Sequence, residues 1–328
     1  MAKSGFFFNL FYYKTYLSSK IFPDYTASTI TDMYYTPREI KQQEYEKDFE
    51  QKTKFNLIKV PTEGYIERIE DFNKRSKDIK ITNKPKLPKE INVMEFLPED
   101  NISKKEYSIL CIHGWEGRGT NFYKFISKLT EKGFRVLCPD FPKHGTTEGE
   151  ESGCHIFGHS INCIIKYFNT PIFFLVHSLG NGATCMSYLI GSDDILNNIK
   201  GFVGIGVPDK FTDALKRFAY FIGMDDYATN IFLDKNTERL GLDVNLFVVS
   251  QVVSKFNFPV LIVHDENDKE IPIQDAENVS KNVKYQKYFI GDKEFSCFYK
   301  TKGLGHRRII RDDGVVDVVC NFIADAKI

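Results

Sequence analysis

Between residues 107 and 263 the chain alternates short, unbroken apolar runs with longer stretches whose apolar residues recur every three or four positions. The first pattern predicts strands buried on both faces, and the second predicts helices with one apolar stripe. Predicted strands cover residues 107–112, 134–138, 171–176, 201–207 and 258–263, with helices over 120–132, 153–167 and 179–190. Upstream, residues 56–60, 65–69 and 91–97 read as further short β segments, with Pro85 and Pro88 breaking the chain before the last. A further strand is expected to end near Lys302. Strands alternating with helices imply an α/β fold built on a doubly wound, mostly parallel sheet. In such sheets ligands bind beyond the carboxyl ends of the strands, so chemistry is sought in the loops that follow them.

Two segments break the rhythm. Residues 209–255 are too long for a crossover loop, and Phe211, Leu215, Phe218 and Ile222 are spaced as on a helix. They read as a helical cap inserted into a core formed by residues 56–208 and 256–328. Residues 1–55 read as an N-terminal helical extension, with a charged, solvated helix face between Arg38 and Lys54. The aromatic run over residues 6–13, interrupted by Asn9 and ended by Lys14, is shorter than the roughly 20 apolar residues a membrane span needs. Only Lys3 hints at a secretory signal. A helix docked on the core is the first expectation for this run, and peripheral membrane contact is the second.

Composition narrows the partners. Lysine plus arginine equals aspartate plus glutamate, 44 each, so no global field draws the chain to nucleic acid. Seven scattered cysteines without a CxxC pair read as free thiols, which favours a reducing, cytoplasmic setting. The oligomeric state is not legible.

The strand ends carry the candidate chemistry. In order they are His113-Gly114-Trp115-Glu116-Gly117, Asp140-Phe141-Pro142-Lys143-His144-Gly145, Val176-His177-Ser178-Leu179-Gly180 and Val263-His264-Asp265-Glu266-Asn267-Asp268. Gly303-Leu304-Gly305-His306 comes last. A serine hydroxyl attacks only when a base takes its proton, and that base must be oriented by a carboxylate. Ser178 lies on a predicted strand-to-helix turn, with Gly180 allowing the two elements to approach closely. Asp268 and His306 follow it. Asp265 is the rival acid, disfavoured because the turn needs length to reach the base. His113 and His144 are expected to brace loops, and His177 to point to the opposite face of the sheet from Ser178 by strand alternation. His155, His159 and Cys163 lie one helical turn apart, a spacing compatible with a metal, but no carboxylate accompanies them and a buried helix face is the simpler reading. Gly114, Gly117 and Gly119 lack the lysine and the spacing of a phosphate cradle.

Over residues 90–328 these motifs resemble the α/β-hydrolase superfamily, in particular its cap-bearing esterases and lipase-like members. The resemblance implies Ser178 as nucleophile, His306 as base and Asp268 as the acid, with the backbone N–H groups of Trp115 and Leu179 forming an oxyanion hole. It implies hydrolysis of a carboxylic ester or thioester of an apolar acyl group, with no metal or organic cofactor. An acyltransferase or thioesterase on the same residues, and an inactive binding protein, are the alternatives. Val176 departs from the small residue usual two before the serine, Asn181 stands where a second glycine is common, and Asp265 where the acid turn usually has glycine.

Overall fold

The alternating pattern folds as its polarity dictates, and the computed structural model describes residues 6–77, 79–290 and 293–325. Lys3, with the rest of the first five residues of the expected extension, lies outside the described residues, as do the last three of the core. The chain opens with α1 (Phe6–Ile21), α2 (Pro23–Tyr35) and α3 (Glu44–Lys52), then β1 (Asn56–Pro61), α4 (Tyr65–Arg75), β2 (Glu90–Phe96) and β3 (Ser108–Ile112). Next come α5 (Tyr123–Glu131), β4 (Val136–Pro139), α6 (Cys154–Phe168), β5 (Ile172–His177), α7 (Leu179–Ile190), α8 (Asp193–Leu196) and β6 (Ile199–Ile205). The interrupted region holds α9 (Phe211–Phe221), α10 (Asp226–Leu240) and α11 (Val249–Val253). The chain continues with β7 (Val260–Asp265), α12 (Ile273–Lys281), β8 (Lys287–Ile290), β9 (Lys293–Ser296), β10 (Phe298–Thr301), α13 (Gly305–Arg308) and α14 (Asp313–Asp325).

Eight strands form one sheet in the order β1-β2-β4-β3-β5-β6-β7-β10. From β4 to β10 neighbouring strands run parallel; only β1 on β2 and β2 on β4 are antiparallel. Every residue of β3, β5 and β7 is buried, which is why those segments are unbroken apolar runs rather than alternating ones. The chain leaves β3 for β4 on one side and returns to β5 on the other. The strand order therefore reverses between β3 and β5, and the loops after those two strands flank the crevice where ligands bind in open α/β sheets.

Residues 65–69 are a correction. They are the first turns of helix α4, not a strand. Ile69 and Phe72 fall on one buried face three residues apart, a helical period that a five-residue window of mixed polarity does not reveal.

The interrupted region is helical, and it is pinned at its neck. The Asp209 carbonyl accepts from the Val249 N–H (2.8 Å) and its carboxylate from the Ser250 N–H (2.9 Å), so the entry and exit of this segment are tied to one buried acid. The N-terminal helices join it. The Tyr35 hydroxyl donates to Asn236 Oδ1 at 2.9 Å, and Arg239 bonds Asp32 at 3.1 Å, which fastens α2 along α10. Phe8 of α1 packs on Phe221 of α9 with ring centroids 5.0 Å apart. Thus α1 and α2 form one layer with α9 and α10, and α2 also rests on the core, where Tyr35 packs on His155 of α6 at 5.5 Å. No described helix is long and apolar enough to cross a membrane.

Candidate active site

Ser178 follows the last residue of β5 and precedes the first residue of α7. Its backbone sits at φ 55°, ψ −123°, a region L-residues rarely enter, because strand must become helix within one residue. Asn181 holds the turn: its side-chain amide donates to the Ser178 carbonyl (2.9 Å) and the Ile205 carbonyl (3.2 Å). Gly114 lies against it, since a Cβ there would stand 2.8 Å from Ser178 Cβ and 3.3 Å from Oγ.

His306, on the first turn of α13, reaches back across the strand ends. Its Nε2 lies 2.8 Å from Ser178 Oγ, and its Nδ1 lies 2.7 Å from Asp268 Oδ2. The carboxylate selects the tautomer: Nδ1–H donates to Asp268, which leaves Nε2 free to accept from the serine hydroxyl. Asp268 Oδ1 accepts in turn from the N–H groups of Glu270 (2.8 Å) and Ile271 (3.0 Å). Burial alone would raise the Asp268 pKa, yet the His306 bond and those two amides hold the carboxyl below the usual carboxylate range. Three residues that the chain separates are thus in hydrogen-bonding contact, and Asp265 is not among them. Asp265 instead clamps the His306 loop, accepting from Thr301 Oγ1 at 2.8 Å and the Leu304 N–H at 3.0 Å.

Two comparisons bear on this arrangement. Residues 107–250 match the family model for the alpha/beta hydrolase fold. That stretch contains β3, β5, the Ser178 turn and the strand-order reversal. The chain has the α/β-hydrolase fold. No curated protein matches it in sequence. Similar solved structures include Est1E from Butyrivibrio proteoclasticus with ferulic acid bound, at 19% identity and a TM-score of 0.54, over 72% of this chain and 93% of that one. The Pyrococcus furiosus esterase Pf2001 is similar over 88% of this chain and 98% of its own, at 13% identity and a TM-score of 0.56. Identities this low speak to the fold alone.

Two of the departures from the α/β-hydrolase elbow pattern have local compensations. Val176 is accommodated because its neighbour across the sheet is Gly204 and because Gly180 leaves room: a Cβ at Gly180 would stand 2.9 Å from Val176 Cγ1 and 2.8 Å from the Ile112 carbonyl oxygen. Asn181 replaces a family glycine with an amide that braces the turn. Of the expected oxyanion donors, Trp115 lies in the loop after β3 and Leu179 at the first position of α7. Among the described residues, neither N–H is hydrogen-bonded to an acceptor.

His113 and His144 brace loops. His113 Nε2 accepts from the Phe141 N–H at 3.2 Å, and His144 Nε2 accepts from the Glu116 N–H at 3.0 Å. Burial lowers their pKa values to about 4 and about 3, so both imidazoles stay neutral. His155 and His159 are buried on α6 and likewise lowered to about 3 by burial, while Cys163 takes a hydrogen bond from Arg68 (2.8 Å). Among the described residues no group of three or more His, Cys, Asp or Glu is arranged to hold a metal ion.

His177 is a second correction. Its ring does not turn away to the other face; it packs 4.9 Å from the His306 ring, and its Nε2 bonds the His306 carbonyl oxygen at 2.9 Å. The strained turn at Ser178 interrupts the alternation on which the expectation rested. Burial lowers the His177 pKa to about 3, so its N–H donates as a neutral imidazole and positions the base without competing for its proton. Gly206 makes room for the same ring, with φ 61° and a would-be Cβ only 3.0 Å from His306 Cε1. His264 closes the back of the site: Nδ1 accepts from the Val207 N–H (3.2 Å) and Nε2 donates to the Ile271 carbonyl (3.0 Å), 3.5 Å from Asp268 Oδ2. None of these three carries a motif of its own. Only the position of each at a strand end marks it in the sequence.

Proposed function

We propose that this chain is a serine hydrolase that cleaves a carboxylic ester, or a thioester, through an acyl-enzyme on Ser178. His306 Nε2 takes the hydroxyl proton as Oγ attacks the carbonyl carbon, and Asp268 stabilises the imidazolium that forms. The N–H groups of Trp115 and Leu179 bond the oxyanion, and one such donor is worth about 3 kcal/mol in a transition state. The protonated His306 then delivers its proton to the leaving alcohol or thiol. Water attacks the acyl-enzyme with the same imidazole as base, and the acid is released.

The relay from Ser178 Oγ through His306 to Asp268, at 2.8 and 2.7 Å, carries this reading. The superfamily fold and its esterase neighbours support it. An apolar acyl group suits the aromatic surroundings: Tyr34 stacks on Trp115 at 5.4 Å, and Phe218 meets Tyr34 at 5.1 Å. All seven cysteines are free and buried, which suits a reducing compartment such as the cytoplasm.

The test is hydrolysis of a chain-length series of nitrophenyl esters, with fluorophosphonate labelling alongside. Ser178→Ala should lower kcat by about 10⁶ and abolish labelling. Labelling that persists in Ser178→Ala would remove the serine from the mechanism, and a wild-type chain that no serine-directed probe labels would point to a binding protein.

A further inference from the structure

Helix α1 is amphipathic in the reverse of the usual sense. At about 100° per residue, Leu10, Leu17 and Ile21 fall within about 40° of one another around the helix, with Tyr13 beside them. These side chains are 57%, 57%, 65% and 63% exposed. Thr15 and Ser19, on the opposite face, are buried against the rest of the protein, where Ser19 Oγ accepts from the Asp225 N–H at 3.2 Å. A helix resting on a folded domain ordinarily turns its apolar stripe inward. Here Phe8 and Tyr12 face inward together with small polar residues, while the aliphatic stripe faces out. The patch continues across the turn into α2 through Phe22 and Tyr25, 61% and 70% exposed.

The charge around this patch identifies what covers it. Residues 1–25 hold Lys3, Lys14 and Lys20 against the single acid Asp24, whereas the whole chain is balanced at 44 charges of each sign. Lys14 and Lys20 lie on opposite edges of the α1 stripe, and Lys20 Nζ sits 4.7 Å from the centroid of the Tyr16 ring. Aliphatic residues on one stripe, tyrosines at its margin and lysines along both edges match the layers of a bilayer interface: acyl boundary, headgroup level and anionic surface. A symmetric second copy of this chain is a poorer match, because a two-fold pairing on the stripe sets lysine edges against each other with Asp24 as the one acid between residues 6 and 25 to offset them.

We infer that the outer face of α1 and the α1–α2 turn docks this protein on an anionic phospholipid bilayer, lying in the interface rather than crossing it. The docking face belongs to the helical layer that carries Tyr34 onto Trp115. The inference stands apart from the ester chemistry, so Ser178→Ala should bind lipid as the unaltered chain does.

Flotation of the full-length protein with vesicles of phosphatidylcholine, with and without phosphatidylserine, tests it. The expected result is co-flotation that strengthens with phosphatidylserine and is lost in Leu17→Glu/Ile21→Glu. Replacing Lys14 and Lys20 by Gln should weaken partitioning about fivefold per lysine. Thermal melts of both variants should overlay the parent, because the altered side chains are exposed. Absence of flotation with phosphatidylserine vesicles, or flotation undiminished in the apolar double variant, overturns the proposal. So does a lipid-free dimer that Leu17→Glu dissociates, since a second copy would then own the patch.

Discussion

At the scale of single residues, the two aspartates of the β7 turn separate into two jobs. Asp268 faces the imidazole, and Asp265 faces the backbone that carries the imidazole. Asp268→Asn should leave the fold intact while kcat drops by about 10⁴, because an amide in place of the carboxylate no longer selects the tautomer that accepts the serine proton. Asp265→Ala should instead cost about 1–3 kcal/mol of stability, read as a lowered Tm, by stranding the Leu304 N–H and the Thr301 hydroxyl. Similar losses of activity with matching Tm values for both variants would contradict this division. Since the Asp268 carboxyl is held below its usual range, its contribution is complete above the ordinary carboxylate pKa and is lost only as pH falls through the lowered value. Both aspartates were legible as candidates, but only the preference for length separated them in sequence. The 2.7 Å contact to His306 decides the matter physically.

At the scale of elements, the β5–α7 turn depends on a pair that sequence shows only as an oddity. Val176 crowds a turn that usually holds a small residue there, and Gly180 offsets it from the helix side. Gly180→Ala should destabilise the fold by about 1–3 kcal/mol through overpacking against Ile112 and Val176. Chemical denaturation measures the loss, and Val176→Ala should restore part of it, the remaining contacts being with Ile112 Cγ2 and its carbonyl oxygen. If Val176→Ala restored nothing, the compensation between these two positions would be refuted. Long periodic segments such as α6 and α7 lie close to where their apolar spacing places them. The failures are local: α4 is read as a strand because its helical period needs more than one turn to show. The antiparallel pair β8 and β9 consists of four-residue strands, too short for polarity to mark them in the sequence.

At the scale of the whole molecule, burial turns most of the histidines into a pH-sensitive stability element. His113 is lowered to about 4, and His144, His155, His159 and His177 to about 3, from an ordinary value of 6.5, each chiefly by burial. Below pH 6.5 the unfolded chain binds protons that these folded imidazoles refuse, so unfolding is favoured as pH falls. Each contributes a loss of up to about 1.4 kcal/mol per pH unit until its folded value is reached. Melts from about pH 7 to about pH 5 should show a steeply falling Tm, well beyond the effect of one group, with an upward shift in acid for His155→Phe. A flat profile across that interval would show that the imidazoles accept protons while folded.

The sequence by itself determined the periodicities, hence the parallel sheet and its helices, and it placed a serine, an acid and a base at strand ends in order. Those are properties of short windows, where polarity and spacing act on neighbouring residues. The tertiary structure alone decided which acid meets the base, that His177 turns toward His306, and that α1 and α2 form a layer with α9 and α10, leaving an apolar stripe outward. Each of these depends on contacts between residues far apart in the chain, and no window of sequence contains both partners.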